Sequence, residues 1–543
     1  VTATLLDERT PRHSAPARDD ESELARRLSP PMPADRATSW WVTIAITALA
    51  AVLRFVDLAR PPAVAFDETY YMKDAFSLLR WGYERGFVEG ANEKILASDG
   101  NWRTLDVFTD KAAFVVHPPV GKWTIALGEY AFGLTPFGWR VMMAVLGTLS
   151  VLLTVRIARR LTRSTLIGAT AGFLLAIDGM SIVMSRTALL DMTLAFWVLA
   201  AFGFLLLDRD RTRRRLADRV REFSDDKAAL LTLGAGTGPG TGLRPWRWAA
   251  GFALGMACAT KWSGVWFVVA FGVLTVLWDV GMRRVVGVHT HRAVVGAATE
   301  GLLAFVAIVG VAALVYVASW TGWFLTDGGY DRQWGATHAA AAGFGWVPDA
   351  FRSLWHYHSE MYNFHTNLTS PHSYQSNAWS WLLQTRPTSF YYEDPTRGEM
   401  GCTVDKCSAE VLALGNPIIW WAATVALVHQ SWRWFARRDW RSGAVVLAIL
   451  AGWLPWLGYQ GRTIFTFYAV AFVPFLCIAL ALMLGAILGK ADAPPQRRTI
   501  GAAAVGSIVL LAVACSWFFY PIWTGEVLPY DAWHIRMWFP TWV

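Results

Sequence analysis

Charge is scarce in this chain. Asp, Glu, Lys and Arg make up 17% of its 543 residues, against about 25% in soluble globular domains. Hydrophobic types reach 54%. That deficit excludes a soluble multidomain protein. Lysine is scarcer still, 8 residues against 41 arginines. The net charge of +8 is gathered into arginine clusters in loops between apolar runs, which is the pattern of membrane orientation rather than of a nucleic-acid partner. No cleavable signal peptide is expected from these residues. The first apolar run begins only at Trp40 and is long enough to span. Nor is there an internal repeat, which weighs against a transporter built from duplicated halves.

Cysteine is rare as well, five residues in all. Cys258, Cys477 and Cys515 fall inside apolar blocks and read as core residues. Cys402 and Cys407 stand five apart in a polar loop. In an oxidising compartment they can form a disulfide; a zinc pair is the alternative, with loose spacing and no second pair to complete it.

What the chain does contain is apolar blocks of about 17–25 residues, the length that crosses a bilayer as helix. Many of its 31 Trp flank them, as interfacial anchors do. The expected fold is an all-α polytopic membrane protein. Its first 39 residues form a disordered cytoplasmic tail. Eleven spans follow, near 40–58, 138–154, 165–183, 188–207, 248–259, 265–280, 294–320, 411–428, 443–457, 465–488 and 500–520. The N-terminus is inside, and the C-terminal tail 521–543 is outside. The 208–247 loop holds ten basic and six acidic residues and reads as cytoplasmic; the 321–410 loop holds five basic and nine acidic and reads as outer. The 59–137 segment is the other large outer loop. Every basic cluster falls on the side that alternation requires.

Ionisable residues at membrane depth are costly and mark function. On this topology Arg54, Asp57, Arg140, Asp178, Arg186, Asp191, Lys261 and Arg462 all converge on the outer rim. Snorkelling accounts for single Arg and Lys residues but not for Asp178 or Asp191. Two outer loops cap the rim. The first carries Phe66-Asp67-Glu68 at the start of an amphipathic helix, where acids serve either as ordinary dipole and cap partners or as a general base. It ends in His117-Pro118-Pro119-Val120-Gly121-Lys122, a proline-led helix start that favours an anion such as phosphate. The second carries His356, His358, His365 and His372 among aromatic residues. These line a polar groove or pack; a metal site is the lesser alternative. Asn367-Leu368-Thr369 matches a glycosylation acceptor by chance.

Taken in order, these segments resemble the protein O-mannosyltransferases in their actinobacterial form. The resemblance rests on Phe66-Asp67-Glu68, the His117-Pro118-Pro119 element, Gly138-Trp139-Arg140, Ser185-Arg186-Thr187-Ala188-Leu189-Leu190-Asp191, Thr260-Lys261-Trp262-Ser263-Gly264 and the stretch from His372-Ser373-Tyr374 to Trp379-Ser380-Trp381. It runs over most of residues 40–520. The β-trefoil that eukaryotic members carry in the long outer loop is absent, and no run of strands is expected there.

The resemblance implies a GT-C glycosyltransferase fold at the outer face of the plasma membrane, with no cofactor and no metal. The donor is a polyprenyl-phosphate mannose, and the acceptors are Ser or Thr hydroxyls of polypeptides emerging from the Sec translocon. Transfer inverts the anomeric carbon. One carboxylate takes the hydroxyl proton, and cations hold the departing phosphate. Asp67 is expected as base with Glu68 in support, although the sequence does not decide between them. Arg140, Lys261, His117, Lys122 and Arg462 are expected at the phosphate. Arg186 and Asp191 are expected to pair at the outer turn, with Asp178 in support. His358, His365 and His372 form a candidate acceptor groove. Three other readings are a GT-C enzyme moving an arabinose-type sugar to a glycan or lipid, a transporter or flippase, and a non-catalytic secretion scaffold.

Overall fold

The computed structural model describes residues 23–98, 100–223, 233–490 and 492–543. The chain divides into two compact units. The smaller comprises Val1–Pro31, Arg209–Leu243 and Trp278–Thr299. Within it the short helix Glu23–Leu28 buries Ala25 and Leu28 against Leu216, Ala217, Val220 and Met282. The expected disordered tail is therefore corrected at its C-terminal end: residues 23–28 are helical because two apolar side chains find a core. Residues 1–22 of that tail lie outside the described residues.

The larger unit comprises Met32–Asp208, Arg244–Leu277 and Glu300–Val543. Among the described residues, seven helices are long and apolar enough to cross a membrane: Arg36–Phe55, Pro136–Thr162, Leu190–Glu222, Gly264–Val285, Gly301–Ser319, Trp440–Gly458 and Pro495–Thr524. Two of these, Leu190–Glu222 and Gly264–Val285, continue into the residues of the smaller unit. Pro245–Cys258, Pro417–Arg437 and Val473–Leu488 fall near the remaining expected spans.

The expected third span is not one straight helix. It breaks into Thr165–Ile177 and Gly179–Arg186, bent by 58°. A break inside an apolar layer frees backbone carbonyls that need donors. Arg54, fully buried, supplies them: its guanidinium donates to the carbonyls of Leu175 (3.2 Å) and Ala176 (3.1 Å) and to the hydroxyls of Ser181 (2.8 Å) and Ser185 (3.2 Å). Asp178 caps the second half, accepting the Ser181 N–H at 2.9 Å. It also accepts the Asn416 N–H (3.0 Å) and the Trp420 indole N–H (2.8 Å).

The expectation of an all-α chain also needs correction. Arg85–Phe87 pairs antiparallel with Phe108–Ala112. Thr388–Glu393 pairs with Cys407–Ala413, which pairs with Val527–Pro529. The 321–410 loop thus holds a strand and the start of a second, and the third comes from the C-terminal tail. Strand Cys407–Ala413 is buried throughout, so the expected span start at 411 moves to Pro417. Cys402 and Cys407 are disulfide-bonded, closing the loop between the first two strands of this sheet. Cys258, Cys477 and Cys515 are free and buried.

Candidate active site

Two buried arginines shape the entry to the 59–137 loop. Pro61-Pro62 cannot continue a helix or donate backbone hydrogen bonds, so the carbonyls around them need side-chain partners. Arg140 donates to the carbonyls of Pro61 (2.8 Å) and Ala63 (2.7 Å). Arg186 donates to those of Arg54 (2.9 Å), Val56 (2.7 Å) and Asp57 (2.7 Å). The chain then turns through Phe66, which has φ of +48°, and enters the Glu68–Trp81 helix at Asp67.

The adjacent acids Asp67 and Glu68 receive opposite environments. Glu68 is fully buried. Its Oε1 accepts from Arg140 Nε (2.8 Å) and the Ala188 N–H (2.9 Å). Its Oε2 accepts from Arg140 Nη2 (2.8 Å) and the Ala65 N–H (2.9 Å). Four donors leave no lone pair directed at a substrate. Asp67, by contrast, makes no side-chain cap bond to the helix it opens. Burial pushes its carboxyl up from 3.8 to about 6, with Lys261 pulling down and Asp191 pushing up. A carboxylate poised near neutrality is the form a general base takes.

Lys261 sits at the turn between Pro245–Cys258 and Gly264–Val285. Its ammonium donates to both oxygens of Asp191 at 2.9 Å and lies 4.6 Å from the Tyr468 ring centroid. The pairing expected between Arg186 and Asp191 is therefore corrected. Asp191 holds Lys261, and Arg186 serves backbone carbonyls. An ammonium has three donors, and Asp191 takes two.

A cavity of about 1160 Å³ opens beside this pair. Lys261, His117, His365, Arg462 and Tyr468 line its polar end, and Val265, Val269, Val273, Val276, Phe305 and Val309 line its apolar walls. Arg462 Nη2 donates to His365 Nδ1 at 3.1 Å, and its buried Nε has no partner. His365 Nε2–H donates to the Val116 carbonyl at 2.7 Å, which makes Nδ1 the acceptor. The His117 and His365 rings lie 5.2 Å apart. Burial, reinforced by Lys261 and Arg462, holds His117 well below its ordinary range and His365 down to about 4. The two imidazoles are thus neutral beside two cationic side chains. His358 also lines the cavity, hydrogen-bonded to Tyr316 at 2.6 Å.

Two expected phosphate ligands stand elsewhere. Every hydrogen-bonding nitrogen of Arg140 is engaged by Glu68 and loop carbonyls. Lys122 is buried against Glu84, with Asp74 at 3.9 Å. In both cases a buried cation is paired with acids of the 59–137 loop, and neither lines the cavity. His372 does not line the cavity. It packs 5.9 Å from Phe66 and 5.0 Å from Phe465, beside the Asp67 turn. Tyr362, one of the aromatic residues of the second outer loop, lines the cavity, as do Tyr468, Tyr316 and Trp456, which do not stand out in the sequence. Nothing separates them there from the many interfacial aromatics.

Residues 94–235 match the model of the dolichyl-phosphate-mannose-protein mannosyltransferases, and residues 350–542 match that of the C-terminal four-span region of protein O-mannosyltransferases. A polyprenol-phosphate-mannose–protein mannosyltransferase of Mycolicibacterium smegmatis is 38% identical over 524 residues, covering 94% of each chain. One from Corynebacterium glutamicum is 33% identical over 552 residues, covering 97% of this chain and 99% of its own. The solved Saccharomyces cerevisiae protein O-mannosyltransferase Pmt1–Pmt2 complex bound to the sugar donor shares the fold, with a TM-score of 0.69 at 14% identity, covering 96% of this chain and 94% of that one.

Proposed function

This chain belongs to the polyprenol-phosphate-mannose–protein mannosyltransferases, and from that premise we propose how its residues perform the transfer. The chain is a glycosyltransferase of the membrane, moving mannose from a polyprenyl-phosphate donor to protein. The acceptor atom is the hydroxyl oxygen of Ser or Thr. Asp67 takes the hydroxyl proton as that oxygen attacks the anomeric carbon. The bond from that carbon to the phosphate oxygen breaks with its electron pair, leaving polyprenyl phosphate and a protonated Asp67. A single displacement inverts the anomeric centre.

The observation that carries this reading is the contrast between the two neighbouring carboxylates. Glu68 is held by four donors, whereas Asp67 stands within the field of Lys261 with its acid–base range near neutrality. Lys261 and Arg462 are the cations for the departing phosphate, with neutral His117 as a hydrogen-bonding partner. The apolar walls take the polyprenyl chain. The volume exceeds the roughly 300–1,000 Å³ of drug-sized sites, as a lipid-linked sugar requires. His372 and the aromatic residues around Phe66 border the acceptor path.

The eleven-pass topology, with the N-terminus cytoplasmic and the acid pair at the outer face of the plasma membrane, is supported by the arginine distribution and by helices near each expected position. Acceptors would then be met as they leave the Sec translocon. No metal is assigned to the transfer step.

The test is reconstitution of the purified chain in liposomes with labelled polyprenyl-phosphate mannose and a Thr-rich peptide. Wild type is expected to label the peptide, and Asp67→Asn to slow transfer by about 10²–10⁴-fold. Label passing only to a lipid or glycan would overturn the acceptor. Full activity in Asp67→Asn would overturn the base.

A further inference from the structure

The 321–410 loop holds a second group of ionisable residues that the transfer chemistry does not use. Asp331 lies in the turn before the short helix Trp334–Thr337, while His356 and Glu360 lie one turn apart on Asp349–Asn367. Their ligand atoms all fall within 4.8 Å of one another. His356 Nε2 is 3.4 Å from Asp331 Oδ2 and 3.8 Å from Glu360 Oε1. Ligands about 2.1 Å from a common tetrahedral centre are themselves about 3.4 Å apart.

Three further observations bear on this group. Glu360 is partly exposed, with its Oε2 turned inward; the Tyr330 hydroxyl hydrogen-bonds to this carboxylate, and no cation of the protein pairs with it among the described residues. A buried carboxylate oxygen needs a compensating charge or donor. The arginines nearby are turned away. Arg332 donates to the carbonyls of Trp323 and Phe324, and Arg352 to those of His338 and Gly335 and to Asp349. Among the described residues no Lys or Arg pairs with Asp331 or Glu360. Finally, the geometry is fixed in advance. The His356 ring stacks on Trp334 at 4.2 Å and 5°, and Asp331 stands in the turn at φ of +48°, a left-handed conformation that Asp adopts more readily than most residues.

We propose that Asp331, His356 and Glu360 bind a divalent cation, with Zn²⁺ the best fit to one imidazole and two carboxylates. The ion would tie the Asp331 turn to the Asp349–Asn367 helix. That helix also carries His358, Tyr362 and His365 into the cavity, so the site is a structural clamp on the wall of the active site. It takes no part in the transfer step, and its failure would leave the mannosyltransferase reading untouched.

The experiment uses the full chain in nanodiscs, stripped with chelator and titrated with Zn²⁺. One equivalent is expected, and Asp331→Asn and Glu360→Gln should each weaken it by at least about 10-fold, the smallest loss that even outer-shell partners bring. Added Zn²⁺ should raise the thermal midpoint of wild type and leave both variants unmoved. X-ray absorption of the wild-type zinc complex should show an imidazole among light-atom ligands, a readout that does not depend on the variants folding. The proposal is overturned by the absence of saturable binding, by equal affinity in wild type and both variants, or by a zinc shell without imidazole. A His356 side chain hydrogen-bonded between the two acids would then account for the cluster.

Discussion

Asp67 and Glu68 are adjacent in sequence, and each can be stripped of its charge by a near-isosteric change with opposite consequences. In Asp67→Asn the lost carboxylate makes no cap bond, so the roughly 1 kcal/mol that a capping acid contributes is not at stake. The folded-state value of about 6 lies above the ordinary 3.8 because the charge is buried. Its ionisation therefore opposes folding, by at most about 3 kcal/mol, less where solvent reaches the half-buried group. This penalty is absent below pH ~4, grows as pH rises toward about 6, and is complete at pH 7. Asp67→Asn should thus hold or gain thermal stability at neutral pH while transfer falls by about 10²–10⁴-fold. In Glu68→Gln the buried Arg140 guanidinium loses its anion, and stability should fall by about 3–5 kcal/mol. The assay is thermal unfolding in detergent paired with initial rates of labelled mannose transfer at pH 5, 6 and 7. A loss of stability in Asp67→Asn comparable to that in Glu68→Gln would refute the reasoning, because Asp67 would then be a structural acid.

Three more outcomes follow from the same geometry. Transfer by wild type should drop about tenfold between pH 7 and pH 5, because an Asp67 titrating near 6 is mostly ionised at the first and mostly protonated at the second; a flat profile would exclude it as the base. Arg462→Gln removes a guanidinium whose Nε has no protein partner and should lower kcat/KM for the lipid donor by about 10–100-fold with the thermal midpoint little changed, as expected for one charged hydrogen bond to the phosphate. Lys261→Met should lower both rate and stability, because Asp191, 3% exposed, is left buried without its cation; a change in rate alone would show that Asp191 has another partner.

Much of this protein is set by its sequence in a direct way. Bilayer thickness and the cost of an unpaired peptide group convert each apolar block into a helix wherever it lies in the chain, so the helices fall near the expected positions. The Asp67-Glu68 pair, Lys261 and Arg462 stand out in the sequence because charge is rare in such a chain, and His117 stands out because it opens the His117-Pro118-Pro119 element. Cys402 and Cys407 were visible because five residues is a short span to close. What the sequence could not supply is pairing. Nothing local says that Arg140 folds back onto Glu68, that Lys122 meets Glu84, or that Asp191 reaches Lys261 and not the nearer Arg186. These partners are 72, 38 and 70 residues apart, brought together only by helix packing. The same holds for the break at Asp178, stabilised by Arg54 from another helix, and for the sheet that the C-terminal tail completes. Sequence alone determined which charges enter the membrane protein. The tertiary structure decided which of them neutralise one another and which remain to meet a substrate, because a buried charge takes the partner that packing brings near.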